Sequence, residues 1–146
     1  MKSPVYLAVI GSLCALVLLR AETPSRMVMH TYQSEGIIVN ISLIELPSGP
    51  VCHIDDGRIA SAALKVRDFQ IPKQEFDRIW SFLHTRELTP FEHKKDSSSQ
   101  IEALNSYVFA TAEEPNGEKK VFIVPQDHAP KSVAALVREI RAYNRD

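Results

Sequence analysis

The chain has 146 residues, 45% of them hydrophobic and 24% charged, and its 17 basic and 18 acidic side chains leave a net charge of −1. So even a balance argues against a nucleic-acid partner, because neutralising phosphates supplies most of that affinity. With two cysteines in all, Cys14 and Cys52, a disulfide-stapled scaffold is excluded and stability has to come from a packed core.

Residues 5–19 read VYLAVIGSLCALVLL, uncharged throughout, preceded by Lys2 and followed by Arg20 and Ala21. This is the layout of a secretory signal peptide, with a positive start, an apolar middle and a small residue at the cut, and cleavage after Ala21 is expected. As a helix the apolar stretch rises only about 22 Å, short of the ~30 Å hydrocarbon core, which argues against a permanent anchor. A lipid-modified Cys14 is rejected, since Leu13 before it is bulky and the chain stays apolar after it. Residues 22–146 then hold 15 basic and 18 acidic side chains, enough chain for one domain and not for two. The expected location is secreted or periplasmic, with membrane contact only while the leader is attached. Cys52, alone in the mature chain and set in the run from Val51 to Ile54, reads as buried and inert rather than paired with another chain.

A loosely held polar leader, residues 22–26, precedes the first element. Residues 27–33 alternate, and after Ser34, Glu35 and Gly36 so do residues 37–45, which gives two strands in a hairpin. Pro47, Ser48, Gly49 and Pro50 break the second strand. A third strand at residues 51–54 leads into Asp55-Asp56-Gly57, whose chemistry signals a type I′ hairpin turn. The fourth, residues 59–69, places Ala60, Ala62, Leu64 and Val66 on one face.

The period then changes. Pro72 suits a helix start, and Phe76, Ile79, Trp80 and Leu83 follow at i, i+3, i+4 and i+7, an apolar stripe in which Trp80 reads as core. Residues 93–99 read as a loop. A second hairpin pairs residues 106–111 with 120–124 through a turn at residues 114–117. A last helix opens at Pro130, with Asp127 before it as the expected cap; its stripe is Val133, Leu136, Val137 and Ile140, and Arg138, Arg141 and Arg145 suit its C-terminal dipole. The order ββββ-α-ββ-α implies a single two-layer α+β domain, an antiparallel sheet of five to six strands carrying both helices on one face.

Two helices cover about four strands, so part of a six-stranded sheet is expected to stand uncovered. In the second strand Ile38 and Ile44 flank Asn40 and Ser42 on the side opposite Ile37, Val39, Ile41 and Leu43. Ile38, Asn40, Ser42 and Ile44 are therefore the candidate partner-binding residues, for another protein or a second copy of the chain. Asn40-Ile41-Ser42 also fits an N-linked glycan acceptor.

No pattern identifies catalytic, cofactor or metal residues. Cys52, His53, Asp55 and Asp56 are the densest group of ligand types, but Cys52 and His53 are strand neighbours and point to opposite faces. His30, His84, His93 and His128 are scattered, and His84 is placed to meet the last carbonyls of its helix. No G-x-S-x-G elbow supports a serine triad, and no glycine-rich loop supports phosphate binding. The expected function is that of an exported binding or accessory module. The alternatives are a small hydrolase using His53 or His128 with an acidic partner, and a purely structural exported protein.

Overall fold

The structure is a computed structural model, and it describes residues 23–34, 36–57, 65–93, 105–113 and 119–145. β1 (Arg26–Ser34) and β2 (Ile37–Leu46) form an antiparallel hairpin closing at the Ser34–Ile37 pair. Gly36 sits there at φ 76°, a conformation that costs glycine nothing because it has no Cβ. The leader is firmer than expected: Ser25 N donates to Glu45 O at 2.9 Å and Arg26 already belongs to β1.

β3 (Gly49–Gly57) follows after only Pro47 and Ser48, with Leu46 opposite Gly49 and Glu45 opposite Pro50. The break is thus narrower than the four turn-formers suggest. Pro50 serves through its carbonyl, which accepts from Ile71 N at 3.1 Å. Asp55, Asp56 and Gly57 are corrected from a turn to strand: Asp55 pairs with Asn40 and Val66, and Asp56 with Val39 and Lys65. Ladder pairing on both sides outweighs the local turn preference of Asp-Gly. β4 (Lys65–Gln70) completes this half of the sheet; residues 58–64, where the sequence places the start of that strand, lie outside the described residues.

α1 (Lys73–Leu83) and a 3₁₀ turn, Thr89–Phe91, lead to β5 (Ser106–Glu113), β6 (Lys120–Pro125) and α2 (Lys131–Ala142). The turn at residues 114–117 and most of the loop at residues 93–99 lie outside the described residues. The sheet order is β4-β3-β2-β1-β5-β6, antiparallel throughout. The chain is therefore a single small α+β domain in the predicted element order.

Pro72 and Pro130 stand in extended conformation just before α1 and α2, and neither helix has a side-chain cap. Asp127 does not cap α2; it lies in a 3₁₀ turn, Gln126–His128. Val28, Val39, Ile41, Leu43, Cys52, Ile54, Phe109, Phe122 and Val124 pack with the stripes of both helices into one core. Each such side chain, fully buried, stabilises the fold by about 1.5–3 kcal/mol. Across this layer Arg26 reaches Glu45 at 2.6 Å and Asp77 at 2.7 Å and lies over the rings of Phe76 and Trp80, fastening β1 and β2 to α1.

On the opposite face Met27, Ile44, Leu46 and Val51 make a second apolar cluster, with Ala112 against it. Of the residues that the sequence marks on this face, Asn40, Ser42 and Ile44 are 4%, 4% and 2% exposed and Ile38 is partly buried.

Candidate functional site

The last turn of α2 brings Arg141 to the edge of its apolar stripe, one turn beyond Val137. From there its head group reaches the end of β1, over Tyr32 and beside His30. β1 presents Val28, His30 and Tyr32 on the helix side by simple alternation, and His30 is opposite Phe109 in β5. Tyr32 and Tyr107 extend the same faces one step beyond the last β1–β5 pair, Thr31 with Val108.

The Arg141 guanidinium therefore lies over two rings, 4.3 Å from the Tyr32 centroid and 5.6 Å from that of Tyr107, an arrangement favourable to a cation. Its Nε donates to His30 Nε2 at 3.1 Å. His30 is fully buried, stacked on Phe109 and Tyr32, and its Nδ1 is 2.9 Å from the Val108 carbonyl. A carbonyl only accepts, so Nδ1 carries the hydrogen and Nε2 offers a lone pair. Burial, with the Arg141 charge adding to it, pushes His30 down to about 3, so the ring is neutral at ordinary pH.

The chain Val108 O, His30, Arg141 Nε thus fixes the guanidinium plane. Among the described residues no carboxylate pairs with Arg141 and nothing accepts from its two Nη groups. Desolvation lowers the Arg141 pKa, the direction expected of a cation drawn from water without a counter-ion. Beside it, Asn144 Nδ2 donates to Tyr32 Oη at 3.1 Å, and Arg67 Nη2 donates to the Asn144 carbonyl at 3.1 Å and to its side-chain oxygen.

The sequence-predicted residues lie elsewhere. Ile38, Asn40, Ser42 and Ile44 share the far face of β2, and Asn40 Oδ1 accepts from Thr31 Oγ1 at 2.9 Å.

On that face Ser42, His53 and Asp68 form a row across β2, β3 and β4, each directly opposite the next. His53 Nδ1 is 2.6 Å from Asp68 Oδ1, so the carboxylate orients the ring. No hydrogen bond joins Ser42 to His53. Cys52 points to the other face, as strand alternation requires, and burial pushes its thiol up to about 12. His84 Nδ1 donates to the Trp80 carbonyl at 2.7 Å, the expected helix-end role. His128 is exposed in its 3₁₀ turn. Among the described residues no three His, Cys, Asp or Glu side chains converge as a metal site, and no helix is long and apolar enough to cross a membrane.

Sequence reasoning missed the Arg141 site because its members are spread from residue 30 to residue 144. The readable signals were a histidine on the core face of β1 and an arginine at stripe spacing from Val137.

Fold and site together define a small α+β domain with a guanidinium held at the end of its second helix that pairs with no carboxylate among the described residues. Comparison with protein-family models, with curated proteins and with solved structures gives no match.

Proposed function

We propose that the chain is an exported binding module whose ligand meets the Arg141 end of the domain. The observation that supports this is the held guanidinium itself. A long cationic side chain is costly to immobilise, and here it is fixed by a buried neutral histidine and two tyrosines while its donors stay unspent. Ile38 and its neighbours, the earlier candidates for contact with another protein or a second copy, carry less weight because three of the four are buried.

The reading is tested by amide NMR titrations of the full chain against a panel of small acids, amines and neutral sugars. Binders are expected to move signals of Tyr32, Tyr107, Arg141 and Asn144, and Arg141→Gln is expected to abolish those movements in a folded protein. Shifts confined to other surfaces, or none, overturn it.

A second reading, a small hydrolase, is favoured by the Ser42, His53 and Asp68 row. With Nδ1 bonded to Asp68, the other ring nitrogen of His53 is the one that could take the Ser42 proton as the hydroxyl attacks an acyl group. Against it stand the burial of Ser42 and the missing bond between serine and histidine. Hydrolysis of a p-nitrophenyl ester that disappears in both Ser42→Ala and His53→Gln would favour the enzyme; turnover unchanged in either variant would remove it.

A further inference from the structure

We infer that the Arg141 end is a receptor for a single carboxylate, taken edge-on by the two Nη groups of the guanidinium. This rests on the binding-module reading and names the ligand chemistry for it. Three features of the site carry the inference.

The first is which edge of the guanidinium remains. Nε is committed to His30 Nε2 at 3.1 Å, so the side edge used in many arginine pairs is blocked. The end edge, with one N–H from each Nη aimed forward in one plane, matches the two oxygens of a carboxylate. The second is the direction of approach. Tyr32 and Tyr107 lie against the guanidinium at centroid distances of 4.3 Å and 5.6 Å. They cover the sheet side of the guanidinium and leave its end edge to a ligand. Their rings also displace water, which strengthens a charge pair formed beside them.

The third is a spare donor. Tyr32 Oη accepts from Asn144 Nδ2, so its own O–H hydrogen is available to a ligand oxygen. Asn144 is in turn held by Arg67, which fixes the tyrosine hydroxyl from behind.

Charge sets the ligand class. Arg141 is a cation unmatched by a described acid, its neighbour His30 is neutral, and the second guanidinium at this end, Arg67, is turned to Asn144. A carboxylate, planar with two oxygens, fits the one remaining fork, whereas the comparison with phosphate is left to the experiment. The carboxylate could belong to a small free acid or to a polypeptide, and the two sources share the chemistry.

The test uses the full chain at pH 7 and low salt. The probes are acetate, a capped tripeptide with a free C-terminal carboxylate, the same tripeptide as its C-terminal amide, and inorganic phosphate. The readouts are the Arg141 Nε–H and the His30 ring nitrogens by NMR. Acetate or the acid tripeptide is expected to saturate these signals in the millimolar range, the strength of one partly screened ion pair, with no response to the amide. Acetate and acid tripeptide binding alike points to small free acids; the tripeptide binding tighter points to a polypeptide end; both uphold the carboxylate.

Arg141→Lys keeps the charge and loses the fork, and is expected to weaken binding about tenfold. Tyr32→Phe, which keeps the ring and the fold, is expected to weaken it about fivefold through one lost hydrogen bond. Equal response to acid and amide, tighter binding of phosphate, or undiminished carboxylate binding in Arg141→Lys overturns the inference. If the wider panel still maps to this end without any carboxylate among its binders, the ligand class falls and the binding-module reading stands. If nothing maps there, both fall.

Discussion

Replacing His30 with glutamine should change how the domain responds to acid. In the folded chain burial holds the imidazole at about 3, against an ordinary value of 6.5. Between those values the unfolded chain binds a proton that the folded chain refuses, so stability rises with pH through this window. The contribution is fully present above pH 6.5 and is lost as the pH falls toward 3, at about 1.4 kcal/mol per pH unit. From pH 7.5 to 4.5 the loss due to His30 alone comes to about 2.5 kcal/mol.

Glutamine can still donate to the Val108 carbonyl and accept from Arg141, but it does not titrate. Its packing differs from that of a ring stacked between Tyr32 and Phe109, so at pH 7.5 the variant is expected to be about 1–3 kcal/mol less stable. Urea unfolding at several pH values separates the two effects. The wild-type curve should drop by about 2.5 kcal/mol more than that of His30→Gln between pH 7.5 and 4.5. Any contribution from Glu45 is common to both proteins and cancels. Parallel curves would refute the claim that His30 is neutral and buried.

Arg26→Met keeps the stem over Phe76 and Trp80 but removes the bonds to Glu45 and Asp77, and urea unfolding should show a loss of about 2 kcal/mol. The carboxyl of Glu45, held at about 2 chiefly by its hydrogen bonds from Arg26, contributes stability that is present above pH 4.5 and lost as the pH falls toward 2; that acid dependence should shrink in the same variant. Gly36→Ala should cost about 1–2 kcal/mol in thermal or urea unfolding, from the positive φ alone, because an added Cβ meets nothing within 4 Å. Cys52, buried and with its thiol held at about 12, should react with a thiol reagent only as fast as the domain unfolds; rapid labelling of the native chain would contradict its placement.

The elements were legible wherever one physical signal dominated. The stripe of Phe76, Ile79 and Leu83 and that of Val133, Leu136, Val137 and Ile140 specify helices because helical period and burial agree. The alternation of Val39, Ile41 and Leu43 likewise specifies a core-facing strand. Errors arose where local and long-range preferences compete. Asp55 to Gly57 carry turn chemistry, yet the ladders to β2 and β4 hold them extended. Asp127 has the chemistry of a cap, but Pro130 holds the cap position three residues further on.

The candidate site was illegible for a different reason. His30, Tyr107 and Arg141 come from β1, β5 and α2, and only the sheet order that puts β5 beside β1 brings them together. The same holds for Ser42, His53 and Asp68, whose row depends on the register of three strands. The apolar residues opposite the helices were visible in β2, but their burial was not, since alternation says which face a residue occupies and not whether that face is open.

The account depends most on how His30 holds Arg141. Long-range ¹H–¹⁵N correlation of the His30 ring at pH 7 tests this directly. The expected spectrum is that of a neutral imidazole with its hydrogen on Nδ1 and an accepting Nε2 coupled to the Arg141 Nε–H. A protonated ring, or a hydrogen on Nε2, would contradict it and release the guanidinium from the geometry on which the proposed site is built.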